Sequence, residues 1–567
     1  MVDKKKESNG DHLSATGHLD KLDWLCCGTV FAFSLFSALL LSLAYPEGLT
    51  NPQTTMFFDV QSRFQILGHN SLDWICLYPY GGVLALGSAA GNPAWASYWL
   101  NNLLFSLNSA LVFLLLRALF SARLLSFSMA LMAVLIEFVS MRMFFYHLIL
   151  SADALFGETV YLALLLALNS WLNCWRPMLF ISCAFFGLAS VIKPIGMVLL
   201  PLWGCFSIVG SYKSVLNQTR RMVSITFCFL LLFAPTAIWS VRNYFVYGYA
   251  KVVGVSGVGL LSATLPLLKP GDQVLADPKS NAEFIKAVQD NELVFFSSRD
   301  WNKEVANNTR MNRYEFYLFC GKDLTGPFDY LAGLKNPSER ARWGDTYSNS
   351  DKMFAIDKKA MDIAVRIVWA HPFAYLGSVW TEYQAMFSPL QLLPAPWEDF
   401  QSDPQVAYVF RPDWGLNCDP STYGKRGKPD PGRSNLQVAA LIGALLKNSI
   451  VQSMLNFYYA SQLVLAHMIF LGAIAAPVLC RVKTLPVPMV KTVDRVAITL
   501  IMLFLTVAAQ YLATALCEIA RTRYQIGCGD LEIHLLVLIG LVSIIVALID
   551  WCRKQGKIRS LERAKPL

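Results

Sequence analysis

The side chains in this chain that could do chemistry are a few acids and bases at the edges of long apolar runs, where charge is costly and functional by default. Asp59 stands in Thr54-Thr55-Met56-Phe57-Phe58-Asp59-Val60-Gln61-Ser62-Arg63, just after the first apolar run. A carboxylate there can take a proton from a reacting hydroxyl. Its plain structural alternatives are a helix N-cap or a partner for Arg63 one turn on. Asp153 opens a later run in Ser151-Ala152-Asp153-Ala154, where the helix dipole alone would favour an acid. Glu158 follows about 140° round a helix from Asp153, so the two cannot easily serve one point. Glu158 reads instead as a buried polar link between helices, and Glu137 belongs with it. Among the bases, Lys193 interrupts an apolar hairpin in Ser190-Val191-Ile192-Lys193-Pro194-Ile195-Gly196, either snorkelling or meeting a phosphate. Arg242, near the end of another run, is a further candidate for holding an anion. His147 and Asn243 are secondary candidates.

The elements that must position these residues follow from composition. The chain has 567 residues, 55% apolar and 15% charged, with a mean hydropathy of +0.43, which excludes disorder, collagen and an ordinary soluble enzyme. Apolar runs near the roughly 20 residues a membrane helix needs fall at about ten places: 23–45, 96–116, 124–142, 154–172, 178–192, 195–210, 222–241, 455–480, 496–516 and 533–551. The expected fold is an α-helical polytopic membrane protein of about ten transmembrane helices, with an interfacial first outer loop and a mixed outer segment. The expected divisions are a cytoplasmic N-tail at 1–22 and a transmembrane core at 23–261 whose outer loop is 46–95. An extracytoplasmic segment at 262–436, C-terminal helices at 437–551 and a basic tail at 552–567 complete the chain.

The net charge of +9 resolves by region. Ser262 to Asn435 carries 22 acids and 20 bases, a net of −2 against +11 elsewhere. Placing the N-terminus in the cytoplasm puts 20 bases on that side, as lysine- and arginine-rich inner loops require. The chain therefore reads as N-in and C-in, and nucleic acid is not needed to explain its charge. Arg63, Lys193 and Arg242 are among the few bases left near the other face. Within 262–436 the helical signals are Asn281 to Asp290 and Asp357 to Trp369, while Pro394 to Arg433 reads as loop or lid. Cys76, Cys320, Cys418, Cys517 and Cys528 are placed outside; Cys517 and Cys528 flank one short loop and could bridge in an oxidising compartment, and Cys320 with Cys418 is a further possible pair. A sequon, Asn307-Asn308-Thr309, falls on the same side, and no CxxC or HExxH spacing occurs.

One segment is more specific. Pro235-Thr236-Ala237-Ile238-Trp239-Ser240-Val241-Arg242-Asn243-Tyr244-Phe245-Val246-Tyr247-Gly248 resembles the span-ending "P…W…RNY…G" segment of the polytopic GT-C glycosyltransferases. The relatives meant are those akin to protein O-mannosyltransferases, lipid A aminoarabinose transferases and rhizobial lipopolysaccharide-core transferases. Phe64-Gln65-Ile66-Leu67-Gly68 and Tyr78-Pro79-Tyr80-Gly81 after Asp59 are similar to that superfamily's first outer loop. So are Ser151-Ala152-Asp153 entering a span, the Lys193-Pro194 hairpin, His371-Pro372-Phe373-Ala374-Tyr375-Leu376 in an amphipathic helix, and Arg521-Thr522-Arg523-Tyr524. Their order and side agree over roughly 25–260 and at two later points. Many relatives carry Asp-Glu in the first loop, whereas Val60 follows Asp59 here, so a second carboxylate would have to be Asp153.

The resemblance implies inverting transfer of a hexosyl or pentosyl group from a polyprenyl-phosphate sugar to an envelope glycan such as lipopolysaccharide, a glycolipid or a protein. Asp59 would be the base, with Arg242, then Lys193 and Arg63, on the donor phosphate. Asp153 would orient the acceptor, hold a cation or ligate a divalent metal; no cofactor is certain. The expected location is the bacterial inner membrane with the site on the periplasmic face. The rivals are a transporter or flippase, in which repeated halves are expected and none is found, and a non-catalytic subunit of envelope-glycan assembly.

Overall fold

The computed structural model describes residues 19–44, 78–90, 93–139, 152–173, 175–193, 195–214, 217–254, 256–298, 327–333, 349–387, 449–482, 487–517 and 530–563. Among these the chain is helical. The helices are α1 (Lys21–Ala44), α2 (Tyr78–Ala89), α3 (Pro93–Leu119), α4 (Arg123–Val139), α5 (Ala152–Asn173), α6 (Arg176–Ile192), α7 (Gly196–Ser214) and α8 (Gln218–Tyr247). After these come α9 (Ser256–Thr264), α10 (Pro278–Ser298), α11 (Pro327–Ala332), α12 (Ser350–Ala370), α13 (Pro372–Phe387), α14 (Ser449–Val482), α15 (Val487–Cys517) and α16 (Asp530–Arg563).

Among the described residues seven helices, α1, α3, α5, α8, α14, α15 and α16, are long and apolar enough to cross a membrane. The protein is thus a helical, multi-pass membrane protein. The other three expected runs are helical too. α6 has 17 residues, about 25 Å of rise against a hydrocarbon core of about 30 Å, the apolar part of α7 stops at Tyr212, and α4 is described through Val139. The helical signals of the polar segment extend further than their apolar periodicity: α10 runs over Pro278–Ser298 and α12 over Ser350–Ala370. Asn349 starts α12 by accepting from the Lys352 N–H at 3.1 Å. Most of the first outer loop, and Pro394 to Arg433, lie outside the described residues.

Polar contacts define the two ends of the bundle. At one, Asp23 of α1 accepts from Arg117 Nε of α3 at 2.9 Å and Arg123 Nε of α4 at 2.8 Å, and Arg123 also pairs with Asp20. At the other, His534 near the start of α16 meets Glu137 near the end of α4 at 2.7 Å. α5 is the central helix, with its apolar stretch buried throughout. α6 packs on it through the Ser182 hydroxyl, which donates to the Ala163 carbonyl at 2.6 Å and accepts from Trp203 Nε1 of α7 at 3.2 Å.

Where α6 crosses α8, small residues let the backbones touch, as membrane helices often require. A Cβ on Gly187 would stand 2.5 Å from the Leu231 carbonyl oxygen and 2.8 Å from that of Leu232. Gly187→Ala is therefore expected to push α8 outward and destabilise the protein by about 1–3 kcal/mol, the usual range for overpacking. Thermal unfolding in detergent checks this; an unchanged midpoint would argue against so close a crossing.

A second, smaller core caps the end of α8. Tyr247, Val258, Leu261, Phe284, Phe354, Ile363 and Ile367 gather there from α8, α9, α10 and α12.

Candidate functional site

The site is built around the last turns of α8. Trp239 and Arg242 are three apart and so share a helix face. The Arg242 guanidinium lies 5.3 Å from the Trp239 ring and 5.5 Å from the Tyr247 ring, and the residue is 7% exposed. Its Nη1 donates to Asn243 Oδ1 at 2.9 Å. Gly248 then ends the helix at φ 75°, the left-handed conformation in which glycine is favoured. The chain turns back, and Asn243 Nδ2 holds it by donating to the Lys251 carbonyl at 2.8 Å and the Val252 carbonyl at 3.2 Å. A fixed, buried cation results, stacked between rings.

The end of α6 packs close to this turn, and the start of α5 lies beside the end of α6. Lys193 caps α6 with an extended backbone, φ −141° and ψ 130°, as expected of a residue before proline. Its ammonium lies 5.8 Å from the Phe156 ring of α5. Phe156 is one turn beyond Asp153, which stands in the first turn of α5. Val191 of α6 packs with Val252 and Val253, flanked by Met197 and Trp239. The structure thus sets the end of α6, which carries Lys193, beside α8 through Val191 and Trp239 and Asn243 beside Arg242, while the helix turn that carries Asp153, whose side chain is outside the described residues, neighbours Lys193 through Phe156. Asp59, Arg63 and His147 lie outside them altogether, as do Cys320, Cys418, Cys528 and the sequon. Cys517 ends α15 but its side chain is not described either.

Glu158 is not at this point. Its Oε2 accepts from Asn108 Nδ2 of α3 at 2.6 Å, buried between helices. Glu137 pairs with His534 instead of joining Glu158 directly, although Asn108, Glu137, Tyr161 and His534 line one cavity of about 20 Å³, room for a single water.

Two acidic groups that the sequence did not single out tie together the segments that follow α8. Asp357 of α12, with no exposed surface, takes the Lys251 ammonium on Oδ2 at 3.1 Å, while its Oδ1 accepts from the Gly257 N–H at 2.5 Å and the Val258 N–H at 3.2 Å. It therefore caps α9 from outside and fixes the segment that Asn243 holds from below. A sequence signal exists: Asp357 falls on the apolar face with Met353, Ala360 and Ala364, where an acid needs a partner. The other group is Asp272, which His371 Nε2 meets at 2.8 Å at the joint between α12 and α13.

Burial raises the Asp272 carboxyl, but the hydrogen bonds from His371 and the Lys269 N–H, with their charges, outweigh it and leave its pKa below the ordinary 3.8. A carboxylate depressed on folding contributes stability that is complete above its unfolded pKa and is lost as pH falls through its folded one. Wild type is therefore expected to lose stability on acidification below about pH 4 faster than Asp272→Asn does. Unfolding midpoints taken across that range check this, and parallel curves would count against the pairing.

Among the described residues no group of three or more His, Cys, Asp or Glu gathers to hold a metal. Comparison with protein-family models, characterised proteins and solved structures finds no match to this chain.

Proposed function

We propose that the protein is a polytopic, inverting glycosyltransferase of the GT-C kind, moving a hexosyl or pentosyl group from a polyprenyl-phosphate donor to an envelope glycan, glycolipid or protein. The observation that carries this reading is Arg242: a buried cation, locked by Trp239, Tyr247 and Asn243 at the end of an apolar helix. That is where the phosphate of a membrane-embedded lipid would lie. In this reading all ten apolar helices cross the bilayer, both termini are cytoplasmic, and the site faces the outer side of a bacterial inner membrane.

The chemistry follows from the residues. The acceptor hydroxyl attacks the anomeric carbon from the face opposite the phosphate, and Asp59 takes its proton. The bond from that carbon to the phosphate oxygen breaks, and polyprenyl phosphate leaves with the electron pair. Such a leaving group is a stable anion, so a general acid is dispensable. What the site must supply is fixed positive charge, from Arg242 with Lys193 and Arg63. Asp153 orients the acceptor, holds one of the cations or ligates a divalent ion.

A transporter is the second reading, favoured by one observation: the Glu137–His534 pair beside a water-sized cavity in the bundle interior, the kind of group that marks proton and ion paths. Purified protein incubated with polyprenyl-phosphate sugars separates the two. Release of polyprenyl phosphate supports transfer; no release, with proton-coupled flux in sealed vesicles, supports transport.

A further inference from the structure

Helix α13, Pro372–Phe387, comes from the polar segment 262–436. Yet it has two apolar faces. The inner one, Tyr375, Val379, Tyr383, Met386 and Phe387, belongs to the main core of the bundle. Tyr375 donates its hydroxyl to the Leu516 carbonyl of α15 at 2.5 Å, and the Phe387 ring lies 4.8 Å from Tyr511 of the same helix and 5.4 Å from His467 of α14.

The outer face continues a stripe begun at the end of α12. Trp369 is 79% exposed, Phe373 87%, Leu376 57% and Trp380 56%. Phe373, Leu376 and Trp380, spaced three and four residues apart, lie in one line on α13, and Trp369 precedes them across the break at His371. At about 150–250 Å² per large aromatic side chain, the stripe bares several hundred Å², at the upper end of what a monomer leaves to water. No charge interrupts it: Glu382, the one charged residue in α13, is buried. Arg366, one turn before Trp369, is exposed.

We propose that this stripe is an interfacial membrane anchor, seated in the lipid leaflet where α15 ends. Depth identifies the occupant. The uncharged stretch of α15 after Arg495, residues 496–516, has 21 residues, about 31 Å against a core of about 30 Å, so with Arg495 at one headgroup level Leu516 reaches the other. Tyr511 lies about 7.5 Å further in. α13 therefore enters at the headgroups beside Leu516 and ends a little deeper beside Tyr511, within the roughly 5–10 Å that interfacial helices penetrate. Tryptophans at this level suit the interface, and Arg366 above them suits lipid phosphates. The anchor holds the outer helices α9 to α12 against the bilayer surface, whatever chemistry the protein performs.

The test places the photoreactive residue benzoylphenylalanine at Phe373 or Trp380 of the full-length protein, in bilayers of phosphatidylethanolamine and phosphatidylglycerol. Leu471, exposed on a spanning helix, is the lipid-facing control, and Lys358, exposed on α12, the water-facing one. After irradiation, peptides carrying positions 373 and 380 are expected to gain the mass of one phospholipid as position 471 does, while position 358 gains none. Because both side chains point outward, unchanged elution on size exclusion verifies the fold of each variant. Adducts to a protein at position 373, or no lipid adduct there while 471 is labelled, would overturn the proposal.

Discussion

Asp59→Asn is expected to reduce sugar transfer by about 10²–10⁴-fold, the range a positioned general base supplies, while the protein accumulates in the membrane as wild type does. The choice of asparagine separates chemistry from structure. If Asp59 served as an N-cap, asparagine would cap nearly as well. If it served as a one-turn partner for Arg63, the loss would be about 0.2–0.5 kcal/mol, far short of what silences an enzyme. Only a group that must accept a proton is disabled by so small a change. Initial rates of polyprenyl-phosphate release, normalised to protein in the membrane, decide it; retained turnover removes Asp59 as the base.

Arg242→Ala is expected to lower turnover by about 10²–10³-fold, comparable to removal of one fixed donor to a developing oxyanion, and to raise the KM for the donor more than that for the acceptor. The structure adds a complication to be controlled. Arg242 is buried and donates to Asn243, which in turn holds the Lys251 and Val252 carbonyls, so truncation loosens the segment as well as removing charge. Arg242→Lys separates the two, keeping a cation but losing the planar group that stacks on Trp239 and Tyr247. It should retain more donor affinity than alanine while still falling short of wild type. A selective rise in acceptor KM would count against the assigned role, as would equal activity of the lysine and alanine variants.

In the proposed reading the two variants would fail differently, because they act on different atoms. Loss of Asp59 would leave donor binding in place and block deprotonation; loss of Arg242 would leave the base in place and weaken the leaving group's hold.

Membrane class and most helices were legible in the sequence because both depend on local composition. The run expected at 154–172 is Ala152–Asn173, and that at 496–516 lies within Val487–Cys517. The run expected at 222–241 stops short of Arg242, whereas the helix continues to Tyr247. A charge ends an apolar window but not a helix, provided that neighbours such as Trp239 and Asn243 receive it. Of the candidate site, Arg242, Lys193 and Asn243 could be found from chemical type and setting. That the end of α6 packs beside α8 could not, since it depends on Val191, Val252 and Trp239 packing together.

By itself, the sequence determined that this chain is apolar, helical and basic outside one polar segment, because hydropathy and charge need only neighbours along the chain. Tertiary structure alone decided the pairings. Glu137 meets His534 across 397 positions, and Asp357 meets Lys251 across 106; a buried charge takes whichever partner the folded backbone brings near it. It also decided the place of α13. Composition puts that helix in a polar outer segment, and its contacts with Leu516 and Tyr511 put it against the bundle, because burial is fixed by what a face touches and not by the average character of the segment it comes from.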